Sequence, residues 1–129
     1  MQNPISTGKF FPVIITEKFE ETKQFYISLL GCQVVFDTDW YAHLVSPKGL
    51  EVGILVANHP SQPEYLHRAY TGSGMVLSFD VENADTEYEK VKAAGIEIAY
   101  DIKSENWGQR HFLLRDPNGL TVDIVQLLK

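Results

Sequence analysis

The sequence has few cysteines, few basic residues and no long apolar runs. Cys32 is the only cysteine among 129 residues. An internal disulfide and a cysteine-rich zinc site are therefore excluded, and we interpret Cys32 as a small core residue. The 11 Lys and Arg residues are outnumbered by 17 Asp and Glu residues, which gives a net charge of −6. This balance argues against binding to nucleic acid, whose phosphates attract basic proteins.

The apolar runs of the chain are short, for example residues 13–15. We therefore predict no transmembrane helix and no membrane partner. Residues 1–9 are polar, and they predict no signal peptide. The composition, 44% hydrophobic and 22% charged, is that of an ordinary globular protein. We therefore expect a soluble, cytoplasmic, single-domain protein.

An internal repeat connects residues 46–54 with residues 116–124. The two segments read SPKGLEVGI and DPNGLTVDI, so Pro, Gly, Leu, Val and Ile recur at an offset of 70. A Pro-x-Gly sequence favours a tight turn, and the alternating apolar residues that follow favour a strand. Each copy is therefore predicted to form a β-hairpin.

A helix that ends at a glycine precedes each predicted hairpin. The first is expected at residues 20–30 with Gly31 as its cap, and the second at residues 84–94 with Gly95. Either Asn83 or Asp85 can cap the start of the second helix. Further strands are predicted at residues 11–16, 33–36, 41–45, 75–81, 96–102 and 111–114. The predicted order is βαβββ, twice.

The repeat divides the chain into two modules, at about residues 9–57 and 75–129. The segment at 58–74 between them contains Pro60, Pro63, Gly72 and Gly74 and has little periodicity. At this length it is either a crossover or a functional loop.

The motifs in residues 25–31 (FY followed by LG), 107–110 (WGQR) and 116–119 (DPNG), in this order, resemble the vicinal oxygen chelate superfamily. That superfamily includes glyoxalase I, extradiol dioxygenases, and the fosfomycin and bleomycin resistance proteins. The resemblance implies an α+β fold of two βαβββ modules, each a curled mixed sheet with a covering helix, that enclose a pocket. It also implies a homodimer.

The enzymes of this superfamily hold a divalent metal with four side chains, from the first and last strands of each module. Motif spacing and the repeat transfer these positions to Phe11, Gly53, Val76 and Asp123. Only Asp123 offers a donor atom, so we predict no metal and no cofactor. The four histidines, at 43, 59, 67 and 111, show no spacing typical of a metal site, and we interpret them as solvated or hydrogen-bonded.

The WGQR motif, with Phe112 after it, is similar to the metal-free bleomycin-resistance branch, which binds a drug without chemistry. The resemblance implies binding of a small, largely apolar or aromatic ligand that can carry a positive charge, and a role in antibiotic resistance. The expected ligand contacts are Phe11, Val13, Gly53, Leu55, Val76, Ser78 and Asp123 in the pocket, Trp40 and Trp107 by stacking, and Arg110.

Several alternatives stay open at this point. Trp40 and Trp107 can instead pack within the protein, and Arg110 can pair with an acidic residue. Asp123 is a weak candidate for a general base in a metal-free isomerase. Two further functions stay possible. One is a metal-dependent lyase or oxygenase whose metal ligands are other residues, and the other is a protein that only dimerises.

Overall fold

The computed structural model describes residues 4–129, which form two four-stranded sheets with one α-helix each. The predicted order βαβββ, repeated twice, is confirmed. The first set of elements is β1 (Val13–Thr16), α1 (Phe19–Leu30), β2 (Gln33–Asp37), β3 (Tyr41–Val45) and β4 (Glu51–Val56). The second is β5 (Val76–Asp80), α2 (Ala84–Ala93), β6 (Tyr100–Glu105), β7 (Gln109–Arg115) and β8 (Thr121–Leu127). A short 3₁₀ helix, Glu64–Leu66, lies in the connecting segment. The chain divides into two compact units between Ala69 and Tyr70.

The first unit contains a sheet in the order β1-β4-β3-β2. Strand β1 pairs with β4 in parallel, and the other neighbours are antiparallel. Helix α1 packs on β3 and β4, and the alternate strand residues beneath it, Ala42, Leu44, Val52 and Ile54, are buried. The residues between them point to the opposite side, which we call the helix-free face of the first sheet.

The second unit repeats this arrangement in the order β5-β8-β7-β6, with β5 parallel to β8. Helix α2 packs on β6, β7 and β8. The buried residues facing it are Phe112, Leu114, Val122 and Ile124. The side of this sheet opposite α2 is the helix-free face of the second sheet.

Matching hydrogen bonds in the two hairpin turns give the repeat a structural basis. In the first turn, the Leu50 N–H donates to the Ser46 hydroxyl (3.0 Å), and the Ser46 N–H donates to the Leu50 carbonyl (2.8 Å). In the second, the Leu120 N–H donates to Asp116 Oδ1 (3.0 Å), and the Asp116 N–H donates to the Leu120 carbonyl (2.9 Å). The serine and the aspartate therefore have the same structural role.

Replacing Asp116 with alanine is expected to lower the free energy of unfolding by about 1–2 kcal/mol. The buried carboxylate also accepts a hydrogen bond from the Asn118 N–H (2.7 Å), so its removal leaves two turn N–H groups without this acceptor. Asp116→Ser is expected to retain most of the stability, because Ser46 performs this role in the first turn. Urea unfolding measures both variants, and equal stability of wild type and Asp116→Ala would contradict the prediction.

The predicted strand starts at residues 11 and 96 are wrong, the first because of a missing backbone N–H and the second because of a competing backbone hydrogen bond. Strand β1 begins at Val13, after Pro12, which has no N–H for a ladder. Strand β6 begins at Tyr100, because the Ile96 N–H instead donates to the carbonyl of Val91 in α2 (3.2 Å). Leu50, expected on a buried face, is 51% exposed and precedes β4.

The helix ends are close to the predicted ones. Gly31 caps α1 with φ +68°, a conformation that favours glycine. Asn83 is the cap of α2, and its side chain accepts a hydrogen bond from the Thr86 N–H. In residues 4–129, neither α-helix has the length and apolar character needed to cross a bilayer.

Candidate functional site

In the first unit, four of the predicted ligand contacts lie near one another. The pairing of β1 with β4 places Val13 beside Gly53 and Ile15 beside Leu55. Phe11 lies just before β1 and is edge-on to the His43 ring, with 4.7 Å between ring centroids. Phe11 and Val13 are about 40% exposed, whereas Gly53 and Leu55 are buried. The helix-free face of the first sheet therefore presents a partly exposed apolar surface.

The side chain of Tyr41, which the sequence analysis missed, lies over Gly53. A Cβ atom added at residue 53 would clash with the Tyr41 hydroxyl and would lie 3.0 Å from Cζ of the same ring. Tyr41 pairs with Leu55, so it is the diagonal neighbour of Gly53 across the β3–β4 ladder. The absence of a side chain at Gly53 therefore makes room for the tyrosine ring.

A chain of hydrogen bonds holds this tyrosine in place. The Tyr41 hydroxyl is 2.8 Å from His43 Nδ1, and His43 Nε2 is 2.7 Å from Glu51 Oε1. The other oxygen of Glu51 forms an ion pair with Lys9 Nζ at 2.8 Å. Hydrogen bonds from Lys9 and His43 lower the pKa of Glu51, and burial together with the Glu51 charge raises the pKa of Tyr41. Glu51 is thus an anion, and Tyr41 keeps its proton at neutral pH.

In the second unit, a similar chain is centred on His111. Its Nδ1 atom is 2.8 Å from Asp123 Oδ1, and its Nε2 atom is 3.0 Å from Glu105 Oε2. Ser78, paired with Asp123 across β5 and β8, donates to Asp123 Oδ2 at 3.3 Å. Tyr100 donates to Glu105 at 2.9 Å. The structure therefore brings two predicted contacts, Ser78 and Asp123, into one array with three residues that were not predicted to bind a ligand, His111, Glu105 and Tyr100.

His111 and Glu105 stabilise each other's charged forms. Burial lowers the pKa of His111, but the hydrogen bonds to Glu105 and Asp123 outweigh it, and the pKa of His111 is raised. The hydrogen bond from His111 is the main reason why the pKa of Glu105 is lowered. The hydrogen bonds in this array therefore favour the imidazolium form of His111 between the two acidic side chains.

This charge pattern predicts how stability depends on pH. The raised pKa of His111 means that its contribution is complete below the ordinary value of 6.5 and is lost as the pH rises through the folded-state pKa. The lowered pKa of Glu105 means that its contribution is present above the ordinary value of 4.5 and is lost as the pH falls through the folded-state pKa. We expect the urea midpoint to fall between pH 6 and pH 9, and to fall less in His111→Gln.

His59→Gln is the matched control for this measurement, because His59 contacts Ser61 and Trp40 rather than a carboxylate. In His59→Gln, the urea midpoint should fall between pH 6 and pH 9 as much as it does in the wild type. An equal fall in His111→Gln would show that His111 does not cause the pH dependence.

The two units thus carry different side chains at equivalent positions. At the offset of 70, His111 corresponds to Tyr41, and Asp123 corresponds to Gly53. A ring folded over a glycine in one unit is replaced by an imidazole bonded to a carboxylate in the other. Both arrangements place a polar group on the helix-free face of the sheet.

The remaining predicted contacts lie in different environments. Val76, beside Thr121, is exposed, and Trp107 is 65% exposed, with its ring edge-on to His111 at 6.3 Å. Trp40 instead stacks on His59, with ring centroids 4.3 Å apart. Trp107 can therefore reach a ligand on the helix-free face, whereas one face of Trp40 is already covered.

Arg110 lies on the other side of the second sheet. Its guanidinium forms two hydrogen bonds to Asp85 in α2, at 2.8 and 2.9 Å. Its partner across the ladder, Gln126, accepts a hydrogen bond from the Ala84 N–H of the same helix. The structure does not bring Arg110 together with Asp123, and the acidic partner weighed in the sequence analysis is Asp85.

A sequence model of the glyoxalase/bleomycin resistance protein/dioxygenase superfamily matches residues 10–124. The chain belongs to this superfamily. No curated protein matches the chain in sequence.

Solved structures of the superfamily share the fold at low sequence identity. A glyoxalase/bleomycin resistance protein/dioxygenase from Nocardioides is 20% identical with a TM-score of 0.78, and the match covers 97% of this chain and 87% of the other. A superfamily enzyme from Burkholderia phytofirmans is 19% identical with a TM-score of 0.74, over 92% and 97% of the two chains. A bleomycin-binding protein complexed with bleomycin is 21% identical with a TM-score of 0.68, over 93% and 98%.

The residues that the sequence analysis assigns to the superfamily's metal positions do not fit a divalent cation. They are Phe11, Gly53, Val76 and Asp123. Two carry apolar side chains, Gly53 carries none, and the ring of Tyr41 occupies the space beside it. The Asp123 carboxylate is already bonded to His111 and Ser78. Among residues 4–129, no group of three or more His, Cys, Asp or Glu side chains is arranged to hold a metal ion.

Proposed function

We propose that this protein binds a small, largely apolar or aromatic ligand, which can carry a positive charge, without a metal. The observation that carries the proposal is the Tyr41 ring over Gly53, because it replaces a metal-ligand position with an aromatic side chain. The helix-free face of each unit exposes apolar side chains that such a ligand can contact, Phe11 and Val13 in the first unit and Trp107 in the second. Asp123 provides a negative charge.

Simple energetics indicate how much of the ligand must be enclosed. A stack on Trp107 contributes about 1 kcal/mol, and a charged hydrogen bond to Asp123 about 2 kcal/mol. Micromolar affinity requires about 8 kcal/mol. At about 25 cal/mol per Å², the remainder corresponds to roughly 200 Å² of buried apolar surface, before the cost of association. The ligand is therefore expected to bury most of one planar face.

Calorimetric titration at pH 8, with a chelator present, tests the proposal. The probes are bleomycin, the cation 10-methylacridinium, and acridine, an uncharged molecule of the same shape at this pH. We expect micromolar binding of the cation. Because 10-methylacridinium has no N–H, its attraction to Asp123 is Coulombic, and we expect Asp123→Asn to bind it about tenfold more weakly, with acridine unaffected. Failure of all three probes to bind, or tight stoichiometric binding of Zn²⁺, Ni²⁺, Mn²⁺ or Fe²⁺, would overturn the proposal.

A second candidate function is acid–base catalysis by a metal-free isomerase, favoured by the array of Asp123, His111 and Glu105. In this case Asp123 would remove a proton from a carbon atom of the ligand. Exchange of solvent deuterium into a bound ligand with an acidic C–H group tests this, by NMR. Loss of exchange in Asp123→Ala, with binding retained, would favour the enzyme.

We also propose a cytoplasmic homodimer that confers resistance by sequestering a drug. The buried, unpaired Cys32, whose pKa is raised by burial, suits a reducing compartment. Light scattering tests the dimer. Growth of a sensitive bacterium on bleomycin, with and without the expressed protein, tests resistance.

A further inference from the structure

The hydroxyl of Tyr41 is a polar group at the border between the His43–Glu51 chain and the apolar part of the first sheet. Phe11, Val13 and Leu55 lie around it on the same helix-free face. We propose that Tyr41 determines ligand specificity, because its hydroxyl oxygen accepts a hydrogen bond from an N–H or O–H group of the ligand. This inference rests on the proposed binding function and adds a requirement on the ligand's chemistry.

The hydrogen-bond chain fixes the direction in which the Tyr41 proton points. An ionised carboxylate accepts hydrogen bonds and does not donate them, so Nε2 of His43 carries the hydrogen that points to Glu51. In a neutral imidazole, Nδ1 then has a lone pair and accepts the Tyr41 O–H, 2.8 Å away. Only lone pairs of the Tyr41 oxygen remain for a ligand.

The surroundings hold this arrangement in one orientation. Lys9 binds the second oxygen of Glu51 at 2.8 Å, and the ring of Phe11 packs edge-on against His43. Gly53 leaves room for the Tyr41 ring. The oxygen therefore stays an acceptor, and a ligand carbonyl placed against it would find no hydrogen to bond.

The second unit presents the same kind of group at the corresponding place. Asp123, the counterpart of Gly53, offers carboxylate oxygens, which also accept hydrogen bonds. Both helix-free faces thus favour a ligand with N–H or O–H donors, such as an aromatic amine, over one with only acceptors.

Two permanently charged dyes of the same ring system test this at pH 8. 9-Amino-10-methylacridinium carries N–H donors, and 9-(dimethylamino)-10-methylacridinium does not. We expect the wild type to bind the amino dye about tenfold more tightly than the dimethylamino dye. Tyr41→Phe, which keeps the ring over Gly53, should reduce this ratio several-fold by weakening only the amino dye. Calorimetry measures the four affinities, and thermal unfolding confirms that the variant is folded.

Tyr88→Phe is the matched control, because it removes a phenolic hydroxyl from α2 in the other unit, where that group binds Asp101. It should retain the full preference for the amino dye. Equal affinity of the wild type for the two dyes, or an unchanged ratio in Tyr41→Phe, would overturn this inference and leave the binding function intact. Absence of binding by both dyes and by every earlier probe would overturn both.

Discussion

Phe112→Ala is expected to lower the free energy of unfolding by about 3–5 kcal/mol, the largest effect that we predict for one substitution. The side chain is fully buried on the α2 side of β7, and its ring packs edge-on against Tyr88 with centroids 5.3 Å apart. Removing it deletes the apolar contacts and leaves a cavity that the sheet cannot fill without moving its strands.

The corresponding residue of the first unit shows why the second unit cannot tolerate alanine here. At the offset of 70, Phe112 corresponds to Ala42, which is also fully buried. In the first unit, the large aromatic side chain that fills the core comes from the helix, where Tyr26 is fully buried. In the second, the fully buried ring is on the strand, so alanine at 112 would leave this core without one.

Urea unfolding of Phe112→Ala, with Trp107→Ala as control, measures this effect. Trp107 is a larger residue, but it is 65% exposed, and we expect its removal to cost less than about 1 kcal/mol. Equal losses in the two variants would show that the second core does not depend on the Phe112 ring.

Gly53→Ala is expected to lower the free energy of unfolding by about 2–3 kcal/mol. The new methyl group would overlap the Tyr41 hydroxyl and would lie 3.1 Å from Cε1 of the ring. Tyr41 would have to rotate away, and its hydrogen bond to His43 would be lost. We therefore expect weaker ligand binding together with lower stability.

Gly8→Ala is the matched control, since a Cβ at that position has no atom within 4 Å. Its stability should differ from the wild type by less than about 0.5 kcal/mol. The double variant Gly53→Ala with Tyr41→Ala should lose less free energy of unfolding than the sum of the losses in the two single variants. In the double variant, the new methyl group no longer overlaps the tyrosine ring. Strict additivity would contradict the steric explanation.

The sequence was sufficient to predict the order of the elements, because the signals for them are local. Pro-x-Gly turns, glycines after helices and alternating apolar residues each act within a few residues of the chain. The wrong strand start at Ile96 has the opposite cause, because its backbone N–H finds its partner in α2. The wrong start at Phe11 overlooked a local signal, since Pro12 has no N–H.

The candidate site was only partly predictable from the sequence, because several of its contacts depend on strand register and not on local sequence signals. Alternation correctly grouped Gly53 with Leu55, but Tyr41, His43 and Glu51 meet only through the register of β3 against β4. Glu105 reaches His111 only through the register of β6 against β7, which places Lys103 opposite His111 and Glu105 opposite Gln109. Two signals were nevertheless present. A glycine inside a strand marks the close approach of another group, and strict alternation places Arg110 on the same side as Phe112.

The packing of Tyr41 on Gly53 also limits how a chelating side chain could be engineered at residue 53. A histidine or glutamate introduced at 53 would collide with the ring that now fills the space. Tyr41 would first have to be replaced by a smaller residue, and that step removes the partner of His43. A single chelating group at 53 therefore already requires two substitutions in a set order, with an intermediate that has neither that group nor the phenol.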